Sequence, residues 1–78
     1  MNNFDGLITF YSSHFALKAE SALKKLNIDC MLIPGPKELS PNCGVALQYF
    51  QLHKSEIIKV FSENRINFEN FFEYKLPK

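Results

Sequence analysis

The chain lacks several features that mark whole classes of protein. It has no tryptophan, only two cysteines and three glycines, and no excess of one charge, since nine Lys and Arg face eight Asp and Glu for a net charge of +1. Its longest apolar runs fall far short of the roughly 20 residues that cross a membrane. Nucleic acids and anionic membrane surfaces are usually bound through a basic excess or stripe. The composition therefore predicts no membrane span and no role at either kind of surface.

Sequence signatures of several enzyme classes are missing too. The chain has no Cys-x-x-Cys pair, no His/Cys cluster at zinc spacing, no Walker loop and no Gly-rich dinucleotide fingerprint. We therefore predict no metal site and no cofactor. Residues 1–6 show no basic region followed by an apolar stretch, so we expect a cytoplasmic protein whose cysteines stay reduced.

What is present is enough for one small domain. With 78 residues, 46% of them hydrophobic and 14% aromatic, the chain can build a thin core. We expect a single domain over residues 1–78, with an ordered core over about 6–75. Short β-branched or aromatic runs predict strands over residues 7–11, 30–33, 45–50 and 68–74.

Two amphipathic stretches predict helices between these strands. The first follows Ser12 and Ser13, which can cap it, and the second follows His53 or Ser55. Their apolar stripes are Phe15, Ala19, Ala22, Leu23 and Leu26 in the first, and Ile57, Ile58, Val60 and Phe61 in the second. The order β-α-β-β-α-β predicts an α+β fold, a two-layer ferredoxin-like sandwich with both helices on one face of an antiparallel sheet. Strands one and three should then be neighbours in the middle.

That topology brings three parts of the chain to one end of the sheet: the exit of strand one, the entry of the first helix and the loop over residues 34–44. We therefore expect Cys43 to lie near the helix N-terminus, whose partial positive charge stabilises a thiolate. His14 is a candidate base, and Gly44 leaves a backbone N–H open to an anion. Ser12, Ser13 and Lys37 complete this candidate site. Cys30, inside an apolar strand, is expected to pack in the core.

The same residues carry a likeness to a known family. The relevant segments are Thr9-Phe10-Tyr11-Ser12, the helix with His14 and Glu20, the run from Leu32 to Ser40, and Cys43-Gly44-Val45-Ala46-Leu47. Over residues 7–74 the sequence resembles the small bacterial proteins described as selenium/sulfur carrier protein-like. The chain departs from the family pattern at Pro41-Asn42, where small residues are usual, and at Lys37, where Arg is commoner.

The resemblance implies a function and a set of site residues. It implies a carrier rather than a turnover enzyme, with Cys43 holding sulfur or selenium as a persulfide or perselenide. It also implies that sulfur- or selenium-donating and accepting proteins are the partners. The residues it places around Cys43 are Ser12, Ser13, His14, Pro36, Lys37, Ser40 and Gly44.

A hypothesis from another class stays open beside the carrier. A ferredoxin-like sheet leaves one face without helices, and aromatic residues such as Phe10 or Phe50 are expected to be exposed there. Such a patch indicates a non-catalytic interaction or regulatory module, including one that forms a homodimer. An RNA-binding module shares the topology, but the strand over residues 45–50 lacks the basic-Gly-aromatic signature.

Overall fold

The chain forms a four-stranded antiparallel sheet and two helices in a computed structural model, which describes residues 4–35 and 44–73. The α+β prediction and the order of helices and strands are confirmed. In chain order the elements are β1 (Gly6–Thr9), α1 (Ser13–Lys25), β2 (Cys30–Pro34), β3 (Val45–Tyr49), a short 3-10 turn (Gln51–His53), α2 (Lys54–Glu63) and β4 (Asn70–Glu73). Across the described ranges, no helix is long and apolar enough to cross a membrane.

The strands lie in the order β2-β3-β1-β4, and each neighbouring pair is antiparallel. The pairing of β1 with β3 runs from Gly6 opposite Tyr49 to Thr9 opposite Ala46. Strands one and three are therefore central neighbours, as predicted. A slip of one residue would move every side chain of a strand to the other face, so this register decides which residues enter the core.

The core lies between the sheet and both helices. Its buried members from the sheet are Ile8, Leu47 and Tyr49, joined by Phe10 directly after β1, and those from the helices are Ala16, Ala19, Leu23, Ile57, Val60 and Phe61. The predicted stripes are right for most of these positions. They are wrong for Leu26 and Ile58, which are exposed. Leu26 is the C-cap of α1, so it lies at the point where the chain turns away from the helix axis.

The last strand begins two residues later than predicted, and the predicted end at Tyr74 lies outside the described residues. It begins at Asn70, and just before the regular β1–β4 pairing the N–H of Glu69 donates to the Thr9 carbonyl at 2.7 Å. Phe68 lies outside the strand and packs edge-on against the ring of Phe71, with centroids 4.8 Å apart. Phe71, opposite Ile8 in the register, packs against the core.

The expectation that Phe10 is exposed on a helix-free face is wrong. Phe10 is 0% exposed, and its ring lies 6.0 Å from that of Phe61, because Phe10 directly follows β1 and lies on the same helix-facing side as Ile8. Phe50 is half-buried and stacks on Phe4 with centroids 4.7 Å apart. The opposite face of the two central strands is buried as well: its members are Leu7, Thr9, Ala46 and Gln48.

Both helices end in the same backbone motif. At the end of α1 the N–H of Ile28 donates to the Leu23 carbonyl at 3.0 Å, and Asn27 takes a left-handed φ of 59°. At the end of α2 the N–H of Ile66 donates to the Phe61 carbonyl at 2.9 Å, and Arg65 has a φ of 54°. These are Schellman caps, in which the residue after the left-handed position packs back onto the helix. Ile28 and Ile66 are accordingly buried.

Candidate functional site at one end of the sheet

Three parts of the chain meet at one end of the sheet. Thr9, the last residue of β1, lies opposite Ala46 near the start of β3. From Thr9 the chain continues through Phe10 and Tyr11 to Ser12, where α1 begins. The exit of β1, the first turn of α1 and the entry of β3 are therefore neighbours. Of the three parts expected at this end, the first two are present, and the third, the loop over residues 34–44, is described only at residues 34, 35 and 44.

The first turn of α1 presents backbone N–H groups that its own cap leaves unused. Ser12 occupies the N-cap position with an extended backbone, φ −150° and ψ 157°, but its hydroxyl makes no capping hydrogen bond. The N–H of Ala16 donates to the Ser12 carbonyl at 3.4 Å and closes the first turn. Ser13 and His14 are exposed, and the His14 ring meets that of Phe15 edge-on at 5.5 Å. An anion placed here would find N–H donors and a favourable helix dipole.

Gly44 marks the entry of β3 at the same end. Its carbonyl accepts a hydrogen bond from the N–H of Gly35 at 3.1 Å, which joins the exit of β2 to the entry of β3. Gly44 is exposed and does not have a positive φ, and no described heavy atom lies within 4 Å of the place a Cβ would take. Neither backbone conformation nor packing against the described residues therefore requires glycine at this position.

Four of the predicted site residues lie outside the described residues: Pro36, Lys37, Ser40 and Cys43. Ser12, Ser13, His14 and Gly44 lie at the same end of the sheet by topology, and their grouping into one site stays a prediction. The position of the Cys43 thiol relative to them stays a prediction as well.

The second cysteine, Cys30, is in an environment that makes it unreactive. It is the first residue of β2, is half-buried and packs against the core, as the sequence predicted. Burial, followed by the nearby carboxylate of Glu20, raises the pKa of the Cys30 thiol to about 11. Only the thiolate attacks or ligates, so Cys30 is a poor nucleophile near neutral pH.

Two buried side-chain oxygens at this end of the sheet were not singled out from the sequence. Thr9 Oγ1 and Glu69 Oε1 are both buried and have no hydrogen-bond partner among the described residues. The two residues are adjacent, since the Glu69 N–H donates to the Thr9 carbonyl. Buried polar groups are nearly always paired, so these two oxygens are exceptions among the described residues, and Thr9 lies on the face of the sheet opposite the helices. The only signal in the sequence is a threonine inside an otherwise apolar strand.

In the described ranges, no group of three or more His, Cys, Asp or Glu side chains could hold a metal ion.

The described fold is a small α+β domain, and its candidate site lies beside the N-terminus of α1. A family model described as Putative Se/S carrier protein-like matches residues 5–73, and the chain belongs to this family. The resemblance found in the sequence is thereby confirmed. No curated protein and no solved structure matches the chain.

Proposed function

We propose that this protein is a cytoplasmic carrier that holds sulfur or selenium on the thiol of Cys43, as a persulfide or perselenide. The observation that carries the proposal is membership of the Se/S carrier family over residues 5–73, a stretch that includes both cysteines. A carrier of this kind meets proteins that donate the atom and proteins that accept it. It needs one accessible thiol and no large substrate cavity, which suits 78 residues.

The choice between the two thiols rests on their surroundings. Cys30 is half-buried, packed on the core and held protonated by its raised pKa. Cys43 directly precedes Gly44, which is exposed at the end of the sheet where the N-terminus of α1 lies. The open space around Gly44 supports the proposal, because the packing of the described residues does not explain a glycine there.

The proposed loading step transfers one sulfur atom without an added oxidant. The Cys43 thiolate attacks the outer sulfur of a donor persulfide, and the donor's S–S bond breaks. The donor's own thiolate leaves, and the new S–S bond holds the transferred sulfur on Cys43. His14 takes the proton of the Cys43 thiol before the attack. The N–H of Gly44 and the first turn of α1 stabilise the anionic terminal sulfur.

The remaining predicted residues would shape this site. In the proposal Lys37 supplies a cation to the anionic adduct, as a point charge and not as the planar fork that Arg would offer. Ser12, Ser13, Pro36 and Ser40 line the site around the Cys43 sulfur.

We also propose to class the fold as a ferredoxin-like sandwich, since β1 and β3 are central neighbours in a βαββαβ chain. The alternative function, a non-catalytic interaction module or homodimer, was inferred from aromatics on a helix-free face. Phe10 is buried in the core, so that particular patch does not support it.

The experiment is sulfur loading from a small-molecule hydropersulfide, followed by intact mass measurement. We expect the reduced protein and the Cys30→Ser variant to gain one sulfur atom, and the Cys43→Ser variant to gain none. Reduction by a thiol should remove the added mass. Equal loading of both single variants, or loading only of the Cys43→Ser variant, would refute the assignment of Cys43.

A further inference from the structure

A groove separates the C-terminal half of α1 from the end of α2. Its volume is about 460 Å³, and its lining residues include Lys18, Ser21, Lys25 and Leu26 from the side of α1, and Glu63 and Asn64 from the side of α2. We propose that this α1–α2 groove is the docking site for an acidic amphipathic helix of a partner protein. The inference rests on the proposed function, because a carrier must be recognised by the proteins that load and unload it.

The charges of the groove favour an acidic partner. α1 carries three lysines against one glutamate, whereas the whole chain has a net charge of only +1. That one glutamate, Glu20, is already paired with Lys24 at 3.3 Å. Among the described residues, neither Lys18 nor Lys25 has a carboxylate in ion-pair range. The two groove lysines are therefore available to carboxylates of another molecule.

The spacing of the lysines favours a helix as the occupant. Lys18 and Lys25 are seven residues apart on α1, so they lie on the same side of the helix and about 10 Å apart along its axis. A second helix with Glu at positions i and i+7 presents carboxylates at the same spacing. Leu26 is 56% exposed beside Lys25 and offers an apolar contact between the two helices. Helix-in-groove binding uses this combination of apolar anchor and flanking charge.

The groove residues on the side of α2 favour a protein partner over a nucleic acid or a phosphate. Glu63 lines the groove on the side of α2, and Lys18 and Lys25 line it on the side of α1. The Glu63 carboxylate would repel a uniformly anionic polymer, whereas a helix that is acidic on one side only can turn its neutral side towards it. Asn64 is held in place because its Nδ2 donates to the Val60 carbonyl at 2.9 Å. None of the described residues that line the groove is aromatic, so this lining offers nothing for bases to stack on.

The groove also leads towards the candidate site. His14, Lys18, Ser21 and Lys25 follow one another at i, i+4, i+7 and i+11 on α1, so they form one stripe along the helix. A partner helix seated along this stripe would extend to the first turn of α1. Docking at the groove would therefore bring a donor or acceptor protein to the end of the sheet where Gly44 lies.

The test is an NMR titration of the full chain with a designed peptide of roughly 16 residues, long enough to form a helix alone. Its heptad pattern places Glu at i and i+7 on one side of a Leu row, and a scrambled peptide of the same composition is the control. We expect amide shifts at Lys18, Ser21, Lys25 and Asn64, at a Kd of about 1 mM or tighter. Binding should weaken as salt shortens the Debye length to about 10 Å or less.

Matched charge reversals decide whether the lysines of the groove carry the binding. The double variant Lys18→Glu/Lys25→Glu should bind at least roughly fivefold more weakly, since each exposed ion pair contributes modestly. The variant Lys54→Glu/Lys59→Glu makes the same change of net charge on α2, at residues that do not line the groove, and should bind like the parent. Equal weakening in both variants, equal binding of the scrambled peptide, or absence of shifts would overturn the proposal.

Two further measurements separate the docking site from nucleic-acid binding and from the carrier chemistry. A single-stranded oligonucleotide that shifts the same amides as strongly as the peptide would overturn the assignment to a protein partner. Loading of Cys43 from a small-molecule persulfide does not involve the groove, so the charge-reversed variant should load like the parent. Normal loading with no peptide binding would refute the docking site alone, and binding without loading would refute the carrier chemistry alone.

Discussion

Substitution of Gly6 by alanine tests how tightly the centre of the sheet is packed. The ring of Tyr49, the register partner of Gly6, lies directly over the glycine. A Cβ at residue 6 would press against Cε1, Cζ and Cδ1 of that ring, with Cδ1 at 2.9 Å. The ring has no room to retreat, because Tyr49 is 1% exposed and meets Phe71 edge-on with centroids 5.4 Å apart.

The expected cost follows from this contact. Forcing one extra carbon into a well-packed core costs about 1–3 kcal/mol, and in a domain of this size each kcal/mol lowers Tm by about 4–8 °C. Gly6→Ala should therefore lower Tm by at least about 4 °C, the lower limit of those two estimates. Thermal unfolding followed by circular dichroism measures it.

Gly44→Ala is the matched control, since a Cβ there meets no described atom within 4 Å and the φ is not positive. At such a position alanine usually adds about 0.4–1 kcal/mol by restricting the unfolded chain, so Tm should stay level or rise. Equal Tm values for Gly6→Ala and the parent would refute the packing described for the centre of the sheet.

Three further predictions concern the helix ends, one turn and one thiol. Arg65→Gly should raise stability by about 1 kcal/mol because it removes a side chain from a left-handed position, and Asn27→Gly should raise it less, since Asn tolerates that position; urea unfolding measures both. Asp5→Ala removes the carboxylate that accepts the Gln51 N–H at 2.8 Å and should cost about 1–3 kcal/mol, whereas an unchanged urea midpoint would contradict that bond. The pKa of Cys30 is raised by burial to about 11 in the folded state, above that of the unfolded thiol, so the free energy of unfolding falls as pH rises from the ordinary thiol pKa towards 11. The parent should lose more Tm there than Cys30→Ser, and equal losses would contradict the raised pKa.

Much of the fold was predictable because the apolar runs and helix stripes are clear. The face on which Phe10 lies was not, for a physical reason. β1 is buried on both faces, so its sequence lacks the apolar-polar alternation that assigns a side. The exposure of Leu26 was not predicted for a different reason. An apolar stripe predicts burial only within the helix, and Leu26 is the C-cap that follows the last residue of α1.

The candidate site was predictable in part. The meeting of the β1 exit, the α1 entry and Gly44 follows from topology alone. The uncapped Ser12 hydroxyl and the buried oxygens of Thr9 and Glu69 depend on exact side-chain placement, which no local pattern encodes. The α1–α2 groove depends on how two distant helices pack. Cys43 lies outside the described residues, so its place at the site remains a prediction.

The most direct test of the carrier assignment is the pH dependence of alkylation at each cysteine, read by intact mass in the Cys30→Ser and Cys43→Ser variants. We predict that Cys43 reaches its full rate clearly below the pH at which a free thiol ionises, about 8.5, as a thiolate stabilised at a helix start does. Cys30 should react slowly and gain rate only towards its pKa of about 11. A Cys43 that reacts with the pH profile of free cysteine, or does not react at all, would contradict the proposal that this thiol carries sulfur or selenium.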